Sequence, residues 1–287
     1  MKVFLKKLWD KRPTKRRWMQ LYAALLFNAN FKGFTEGMIH TGESKRVCVP
    51  GLNCYSCPGA VGACPLGSLQ GAFSADKSTL FYIGGILLLY CVLAGRMICG
   101  WLCPFGLIQE LLYKVKTPKV KKNKVTRVLS YFKYVVLVFF VVIVPLLYAF
   151  RDTPLPAFCK YICPVGTLEA GIPLVITNPE LQSAIGWHYV WKIAILIVIL
   201  LASVIMYRPF CRYLCPLGAV YGLFNRFAIY RYHIDSEKCV ECGVCQTACK
   251  LDIPVWKKPN SIDCIRCGEC RNACPTGAIK NMYRRNP

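Results

Sequence analysis

The sequence contains few histidines and few acidic residues, and these shortages exclude several classes of protein. Only 3 histidines occur among 287 residues, which leaves little room for haem chemistry. Charged residues make up 18% of the chain, whereas hydrophobic residues make up 55%, and the mean hydropathy is +0.38. This balance excludes a disordered, collagen-like or ordinary water-soluble protein. The sequence also contains no arrangement of His, Ser or Asp that is typical of a catalytic site.

Cysteine and positive charge are what the chain has in excess. The chain has 19 cysteines and is too long to be a small disulfide scaffold. Lysine and arginine outnumber aspartate and glutamate by 37 to 14, which gives a net charge of +23. Such a charge also suits nucleic-acid binding, but here the basic residues flank long apolar segments. We therefore expect an integral membrane protein that binds metal through sulfur and does not bind nucleic acid.

Four apolar segments are candidates for membrane-spanning helices, each of which requires about 20 mostly apolar residues. They are residues 18–34, 80–98, 131–150 and 189–207. The first is the weakest, because Asn28, Asn30 and Lys32 interrupt its second half. No secretory signal is expected, since no short apolar run near the N-terminus is followed by a small-residue cleavage site.

The distribution of Lys and Arg predicts the orientation of these spans. The counts alternate along the chain: eight in 1–17, three in 35–78, eight in 114–133, two in 151–188 and thirteen in 208–287. The positive-inside rule then places both termini in the cytoplasm and requires all four segments to cross the inner membrane. The predicted domains are a basic cytoplasmic N-terminus (1–17), a four-span membrane domain (18–228) and a cytoplasmic C-terminal domain (229–287).

The tetrapeptide Cys-Pro-x-Gly occurs four times and divides the membrane domain into two repeated halves. Each copy ends a group of cysteines, and the groups are Cys48, Cys54, Cys57 and Cys64; Cys99 and Cys103; Cys159 and Cys163; and Cys211 and Cys215. Proline loses no hydrogen bond in the first turn of a helix. Each motif cysteine is therefore expected at a helix N-terminus, where the dipole favours an anionic thiolate cluster.

The predicted topology sorts these cysteines into two groups on opposite faces of the membrane. The inner group is Cys99, Cys103, Cys211 and Cys215, and four thiolates are what a [4Fe–4S] cluster requires. For the outer group we favour Cys57, Cys64, Cys159 and Cys163, with Cys54 and Cys48 as alternates. One or two [4Fe–4S] clusters are thus expected in the membrane domain. Disulfides between outer cysteines and a zinc site are the alternatives.

Polar residues beside the repeat are candidates for tuning the clusters. Arg96, at the inner end of the second span, is expected to raise the potential of the inner cluster, or else to extend to the lipid headgroups. The residues six positions after the motif cysteines are Gln70, Gln109, Glu169 and Tyr221. They are predicted to hydrogen-bond a cluster, a quinone or another subunit, or to be ordinary polar residues on a helix surface.

The C-terminal region contains Cys-x2-Cys-x2-Cys-x3-Cys twice, at residues 239–249 and 264–274. In this motif the first three cysteines bind one [4Fe–4S] cluster and the fourth binds the other. The predicted ligand sets are Cys239, Cys242, Cys245 and Cys274 for one cluster, and Cys264, Cys267, Cys270 and Cys249 for the other. With strands such as 229–234 and a helix after each third cysteine, the predicted fold is a duplicated α+β two-cluster ferredoxin domain attached to an α-helical membrane domain of four spans.

Over residues 48–280 these motifs resemble those of the NapH-type membrane polyferredoxins, a family of 4Fe–4S membrane electron-transfer proteins. The resemblance implies an electron-transfer subunit rather than a stand-alone enzyme, linking a quinol pool or a cytoplasmic donor to a partner reductase. A related branch is similar to assembly proteins for oxidases. Family members usually have two Cys-x3-Cys-Pro motifs near the cytoplasmic face. This chain has three, plus a cysteine loop at 53–57, which suggests a second membrane site on the opposite face.

The leading hypothesis is a conduit that carries electrons from a cytoplasmic ferredoxin or flavoprotein to a partner redox subunit or an external acceptor, or in reverse. A second is a quinol dehydrogenase subunit that feeds a partner reductase, with Glu169, Glu110 and His188 as candidate proton acceptors near a quinone. A third is an assembly factor whose external cysteines handle a metal or a disulfide. All three place the protein in the lipid of the inner (cytoplasmic) membrane.

Overall fold

The computed structural model describes residues 15–74, 77–120, 124–151, 153 and 155–283. Residues 1–14, which are most of the predicted basic N-terminus, lie outside the described residues. The described chain is mainly helical, and its two paired strands lie near the C-terminus. Short helices alternate with cysteine-containing turns, because the frequent Cys-Pro and Gly residues end one helix and begin the next.

The helices fall into two series that follow the sequence repeat. Those of the first half are Lys15–Phe27, Phe31–Glu36, Pro65–Ala72, Lys77–Leu93, Met97–Trp101 and Pro104–Leu112, with a 3-10 turn at Glu43–Arg46. Those of the second half are Lys124–Leu129, Phe132–Val136, Val144–Ala149, Ala157–Tyr161, Pro164–Gly166, Ile172–Thr177, Pro179–Ser183, Trp187–Ile205 and Pro216–Phe224, with π-helical segments at Leu137–Ile143, Thr167–Gly171 and Phe210–Leu214. In every Cys-Pro-x-Gly copy the cysteine is extended and the proline begins a helix.

Two stretches of helix in the described ranges are long and apolar enough to cross a membrane. Thr126–Ala149 has 24 residues and reaches a mean hydropathy of 2.4, and Trp187–Ile205 has 19 residues and reaches 2.2. They coincide with the predicted spans at 131–150 and 189–207. Their apolar side chains are largely exposed, as at Val128 (70%) and Val198 (63%). Exposed apolar surface of this extent indicates association with a membrane.

The other two predicted spans form shorter helices. The segment 80–98 contains the helix Lys77–Leu93, which ends before Gly95, where φ is 51° and a Cβ would be strained. The segment 18–34 is divided near Asn28 and Asn30 into two helices. Asn28 donates to the Ala24 carbonyl and Asn30 to the Pro58 carbonyl, so the residues that weaken the apolar run lie where the helix is interrupted. That these two segments cross the membrane remains a prediction.

The tail is a small duplicated α+β unit. Its elements are the antiparallel strands Tyr230–Ile234 and Ile279–Tyr283 and, between them, the helices Val244–Ala248 and Glu269–Ala273. Each helix begins one residue before the third cysteine of its motif, whereas the sequence predicted a helix after it. Gly243 and Gly268, with φ of 73° and 86°, turn the chain directly before these helices. The two motifs therefore have the same local conformation.

Candidate metal centres

The first tail site is a small cavity of about 20 Å³ near the protein surface. Its wall contains four cysteines from both motifs, Cys239, Cys242, Cys245 and Cys274. The motif spacing predicts the same four cysteines for one cluster: the first three cysteines of the first motif and the last cysteine of the second motif. Cys242 is exposed, whereas Cys245 is buried. One edge of this site is therefore accessible to a soluble partner.

The second tail site is deeper and contains Cys249, Cys264, Cys267 and Cys270. Their thiols lie close enough to interact electrostatically. Burial raises the pKa of the Cys264 and Cys270 thiols to about 12. Because iron binds the thiolate, loading this site must displace protons from these buried thiols. The backbone N–H of Arg266, which is directed at Cys264, favours the thiolate in return.

In the membrane domain, four buried cysteines surround an enclosed cavity of about 10 Å³, and they are Cys99, Cys103, Cys211 and Cys215. Each repeated half contributes one pair, as predicted for the inner group. The backbone N–H of Gly218 donates to Cys215 Sγ at 3.3 Å, so the motif glycine provides an amide donor to the sulfur of a predicted ligand. Residues 50–52 also line this cavity, and no feature of the sequence predicted that they would.

Two buried arginines contact this inner site from opposite halves. Each lies three residues before the first cysteine of its motif, Arg96 before Cys99 and Arg208 before Cys211. Arg96 donates to the Cys211 carbonyl at 2.6 Å, and Arg208 donates to the Cys99 carbonyl. Arg96 is 2% exposed, so it contacts the site and does not extend to the headgroups. Sequence reasoning missed Arg208, although its spacing repeats that of Arg96.

Glu110 is the centre of a buried ion cluster beside the inner site. Its carboxylate lies 2.9 Å from Arg208 and 2.7 Å from Arg16, and it accepts a hydrogen bond from Tyr207. Burial alone would raise the pKa of Glu110, but the two arginines outweigh it and lower the pKa to about 2. Glu110 therefore stays ionised, which makes it a poor choice for the proton acceptor predicted in the quinol hypothesis.

The outer site is a larger cavity of about 430 Å³, and its cysteines are Cys54, Cys64, Cys159 and Cys163. The structure thus brings the alternate Cys54 to this cavity and leaves the favoured Cys57 off its wall. The Cys57 thiol instead donates to Asn28 Oδ1 at 3.5 Å. Cys48 lies beside Ala63 in the wall of a different cavity.

The residues six positions after the motif cysteines all contact the opposite half of the repeat. The contacts are Gln70 with the Cys159 sulfur, Gln109 with the Cys211 sulfur, Glu169 with the Cys54 N–H, and Tyr221 with the Pro50 carbonyl. Each contact joins a helix of one half to a cysteine-containing segment of the other. These residues are therefore not ordinary polar residues of a helix surface.

The cysteine sites have the character that a [4Fe–4S] cluster requires. No three His, Cys, Asp or Glu side chains of the described chain are placed to hold a single ion. A cluster instead binds one thiolate at each of four irons, which suits cysteines spread around a cavity. A Cβ at Gly67 would lie 3.6 Å from Cys159 Sγ, and one at Gly166 would lie 3.5 Å from Cys54 Sγ. The motif glycines therefore lie directly beside the outer sulfurs.

Comparison with known families agrees with this chemistry. A family described as "4Fe-4S binding domain" matches residues 76–123, 132–172 and 187–231, and each match contains one Cys-x3-Cys-Pro motif. Another family with the same description matches residues 259–280 in the tail. These matches confirm the prediction that [4Fe–4S] clusters are cofactors of the chain.

Several known proteins are similar to the chain over part of its length. An uncharacterized protein of Methanocaldococcus jannaschii is 32% identical over 185 residues, which cover 62% of this chain and 61% of the relative. The methylamine utilization ferredoxin-type protein MauN of Paracoccus denitrificans is 27% identical, covering 63% and 58%. The ferredoxin-type protein NapH of Haemophilus influenzae is 26% identical, covering 63% and 57%. The chain spans less than two thirds of each of these relatives, and no solved structure matches it.

Proposed function

We propose that the chain, which is similar to the ferredoxin-type proteins NapH and MauN, carries electrons between a cytoplasmic donor and an acceptor at or across the membrane. Bound [4Fe–4S] clusters supply one-electron oxidation and reduction. The chain itself holds four cysteine sites in series: the first tail site, the second tail site, the inner site and the outer site. The donor in this proposal is a ferredoxin or flavoprotein, and the acceptor is a partner redox subunit or an external molecule.

The observation that carries this proposal is the attachment of the tail beside the inner site. Arg96, which binds the Cys211 carbonyl at the inner site, also forms an ion pair with Asp263 of the tail at 2.8 Å. The next residue, Cys264, belongs to the second tail site, and its carbonyl accepts a hydrogen bond from Asn225 at 3.0 Å. One guanidinium therefore connects a loop of the second tail site with the π-helical segment that contains Cys211 of the inner site.

Further buried contacts hold the tail against the membrane domain. Arg266 of the tail is 1% exposed and donates to the carbonyls of Ala94 and Asn225 at 2.7 and 2.6 Å. Gly100 lies directly against the tail, since a Cβ there would be 2.3 Å from the Ile265 carbonyl oxygen. Buried hydrogen bonds of this kind are stronger than exposed ones, because little water competes for their donors. They support a tail that is held in one position, as electron transfer between neighbouring sites requires.

The inner and outer sites share one short segment of chain. Leu52 lines both cavities. The backbone N–H of Leu52 is directed at the Cys103 sulfur of the inner site, and the next N–H, of Asn53, is directed at the Cys64 sulfur of the outer site. Consecutive peptide groups thus contact ligands of both sites. This arrangement supports passage of electrons from one site to the other.

We propose further that the four predicted spans cross the inner membrane with both termini in the cytoplasm. The two long apolar helices and the alternation of Lys and Arg along the chain support this orientation. The first tail site then faces the cytoplasm. Its exposed Cys242 and the neighbouring Val240, which is 68% exposed, provide a surface that a soluble donor protein can contact.

Iron and sulfide counting on anaerobically purified protein tests this proposal. Four [4Fe–4S] sites predict about sixteen irons per chain. A content of about eight irons would confine the clusters to the tail and would contradict a route through the membrane domain. EPR spectra of the reduced protein provide the matching measurement, because four neighbouring clusters give more signals than two.

Replacing Arg208 with methionine is expected to lower both the stability of the protein and the reduction potential of the inner cluster. The change removes a cation beside Cys99 and takes one partner from the buried Glu110 carboxylate, and breaking such a pair costs about 3–5 kcal/mol. Arg208→Lys keeps the charge but not the forked contact, so it should retain the potential and lose part of the stability. Thermal unfolding in detergent and a redox titration measure the two effects; equal potentials in wild type and Arg208→Met would contradict the electrostatic role.

A second candidate function, quinol oxidation, is favoured by the size of the outer cavity. At about 430 Å³ it is far larger than the inner cavity of about 10 Å³. Its wall combines mostly apolar side chains with a few polar groups, including His188 and Lys192, as small-molecule sites do. His188 is thus the proton acceptor that the structure favours for this function. Binding of a quinone analogue should shift the EPR signal of the outer cluster, and an unchanged signal at saturating analogue would contradict the function.

A further inference from the structure

Two buried glutamines occupy matching positions in the repeat, and each contacts a cysteine sulfur of the other half. Gln109 Nε2 lies 3.2 Å from Cys211 Sγ at the inner site, and Gln70 Nε2 lies 3.4 Å from Cys159 Sγ at the outer site. Gln109 is fully buried and Gln70 is 1% exposed. Gln70 lies six residues after Cys64, and Gln109 lies six residues after Cys103. In both cases the contacted sulfur belongs to the first cysteine of the pair that the second half contributes to the same site.

At the inner site, every polar atom of the glutamine side chain has a partner. Gln109 Oε1 accepts the backbone N–H of Phe210 at 3.1 Å, and Nε2 donates to the Phe105 carbonyl at 3.3 Å as well as to Cys211. The first bond holds the residue that directly precedes Cys211 in the chain. The amide therefore both positions the cysteine and donates to its sulfur.

At the outer site the same three bonds recur. Gln70 Oε1 accepts the backbone N–H of Phe158 at 3.0 Å, and Nε2 donates to the Leu66 carbonyl at 3.2 Å and to Cys159. If Gln70 served only to join the two halves, the hydrogen bond from the Phe158 N–H to its Oε1 would be enough, and no donor would be needed at the Cys159 sulfur. The recurrence of the N–H···S contact at both sites, in a chain whose halves differ elsewhere, indicates that the contact itself has a role.

The physical effect of such a contact on an iron–sulfur site is directional. Reduction adds negative charge, part of which lies on the cysteine sulfurs, so a hydrogen-bond donor at a sulfur stabilises the reduced form more than the oxidised form. The effect is large when the donor is shielded from water. Gln109 and Gln70 are both buried beside apolar cavities, so water does not compete for their amide protons.

We propose that Gln70 and Gln109 are paired positioning residues, each of which raises the reduction potential of one membrane site by donating a hydrogen bond to a cysteine sulfur of the other half. This inference rests on the proposed function, because it requires clusters at the inner and outer sites. Gln109 acts on the inner site and Gln70 on the outer site. The loss of either amide alone would therefore change the relative potentials of the two sites.

Potentiometric EPR titration of the holoprotein with single substitutions tests the inference. Gln109→Met and Gln70→Met keep the side-chain volume but remove the donor. Gln109→Met is expected to lower the midpoint of the inner cluster, and Gln70→Met that of the outer cluster, each by about 59 mV, which is a tenfold change in the ratio of oxidised to reduced cluster at fixed potential. Signals are assigned with Cys211→Ala and Cys163→Ala variants, which lack the inner and the outer site.

Gln20 provides a matched control beside the inner site. It is also a fully buried glutamine, but its Nε2 donates to the Cys103 carbonyl at 3.4 Å and not to a sulfur. Gln20→Met should therefore leave both midpoints as in the wild type. Gln109→Glu separates the two roles of the amide, because a carboxylate keeps the acceptor for the Phe210 N–H while it lacks the donor. It should lower the inner midpoint at least as far as Gln109→Met.

The outcomes distinguish this inference from the proposed function. About eight irons in the wild type would overturn the proposed function and the inference with it. About sixteen irons with unshifted midpoints in Gln109→Met and Gln109→Glu would overturn the inference alone. It would also be overturned if either glutamine variant shifted both clusters equally, or if Gln20→Met produced the same shift as Gln109→Met.

Discussion

Replacing Cys211 with alanine is expected to remove the inner cluster and to stop electron transfer between the tail and the outer site. Cys211 is buried and is one of four thiols around the inner cavity. Three thiolates leave one iron without its protein ligand, so the iron content should fall by about four per chain. The tail clusters, held by separate cysteines, should stay reducible.

The measurement combines iron counting with freeze-quench EPR. In the wild type, a low-potential ferredoxin added to the holoprotein should reduce the tail clusters first and the outer cluster afterwards. In Cys211→Ala the outer signal should remain oxidised while the tail signals develop as before. Cys91→Ala is the matched control, because Cys91 is equally buried but lies in the helix Lys77–Leu93 and off the walls of both cysteine cavities. Normal reduction of the outer cluster in Cys211→Ala would show that electrons reach it by another route.

The second large effect is expected from Cys54, in contrast to its neighbour Cys57. Cys54→Ala should remove the outer cluster and lower the iron content by about four per chain, because Cys54 lines the outer cavity with Cys64, Cys159 and Cys163. Cys57→Ala should retain all the iron. Its thiol bonds Asn28 away from this cavity, so its loss should cost only a modest amount of stability, about 1 kcal/mol for one buried hydrogen bond.

These two variants provide controls for each other, since they lie in the same loop and make the same chemical change. Iron content and the EPR signal of the outer cluster report the result, and thermal unfolding shows whether both variants are folded. The reverse pattern, with iron lost from Cys57→Ala and kept in Cys54→Ala, would contradict the placement of the loop. Equal loss from both would indicate that the loop, and not one thiol, supports the site.

The grouping of the tail cysteines could be predicted from spacing because the relevant geometry is local. Cys239, Cys242 and Cys245 lie within seven residues, and a chain turning at Gly243 brings such neighbours to one cavity. The inner group could be predicted for a related reason. Each half contributes its cysteine pair in the same Cys-x3-Cys-Pro motif, so one assumption about topology was enough to combine the pairs.

The choice between Cys54 and Cys57 could not be made in this way. Both lie in an irregular loop without a periodic pattern, so the direction of each side chain depends on distant contacts. Glu169, more than a hundred residues away, binds the Cys54 N–H and holds that residue at the outer cavity. Asn28, from the interrupted first apolar segment, binds Cys57. Neither partner could be identified from the spacing of the cysteines.

The position of Arg208 could be read from the sequence repeat, but its contacts could not. Its position three residues before a motif cysteine was visible in the sequence, as was that of Arg96. Their reciprocal contacts, each to the carbonyl of the other half's cysteine, depend on how the halves face each other. The pairing of Arg96 with Asp263 depends in addition on where the tail attaches.

By itself the sequence determined the cofactor chemistry, the repeat of the cysteine motifs and the grouping of the tail cysteines, because metal-binding spacings and helix-starting prolines act over a few residues. Only the tertiary structure decided which distant groups meet: Cys54 at the outer site, Leu52 between the two membrane sites, and Arg96 between the inner site and the tail. The reason is that these contacts join residues far apart in the chain, and their geometry is set by the packing of whole helices and not by any local preference of the residues themselves.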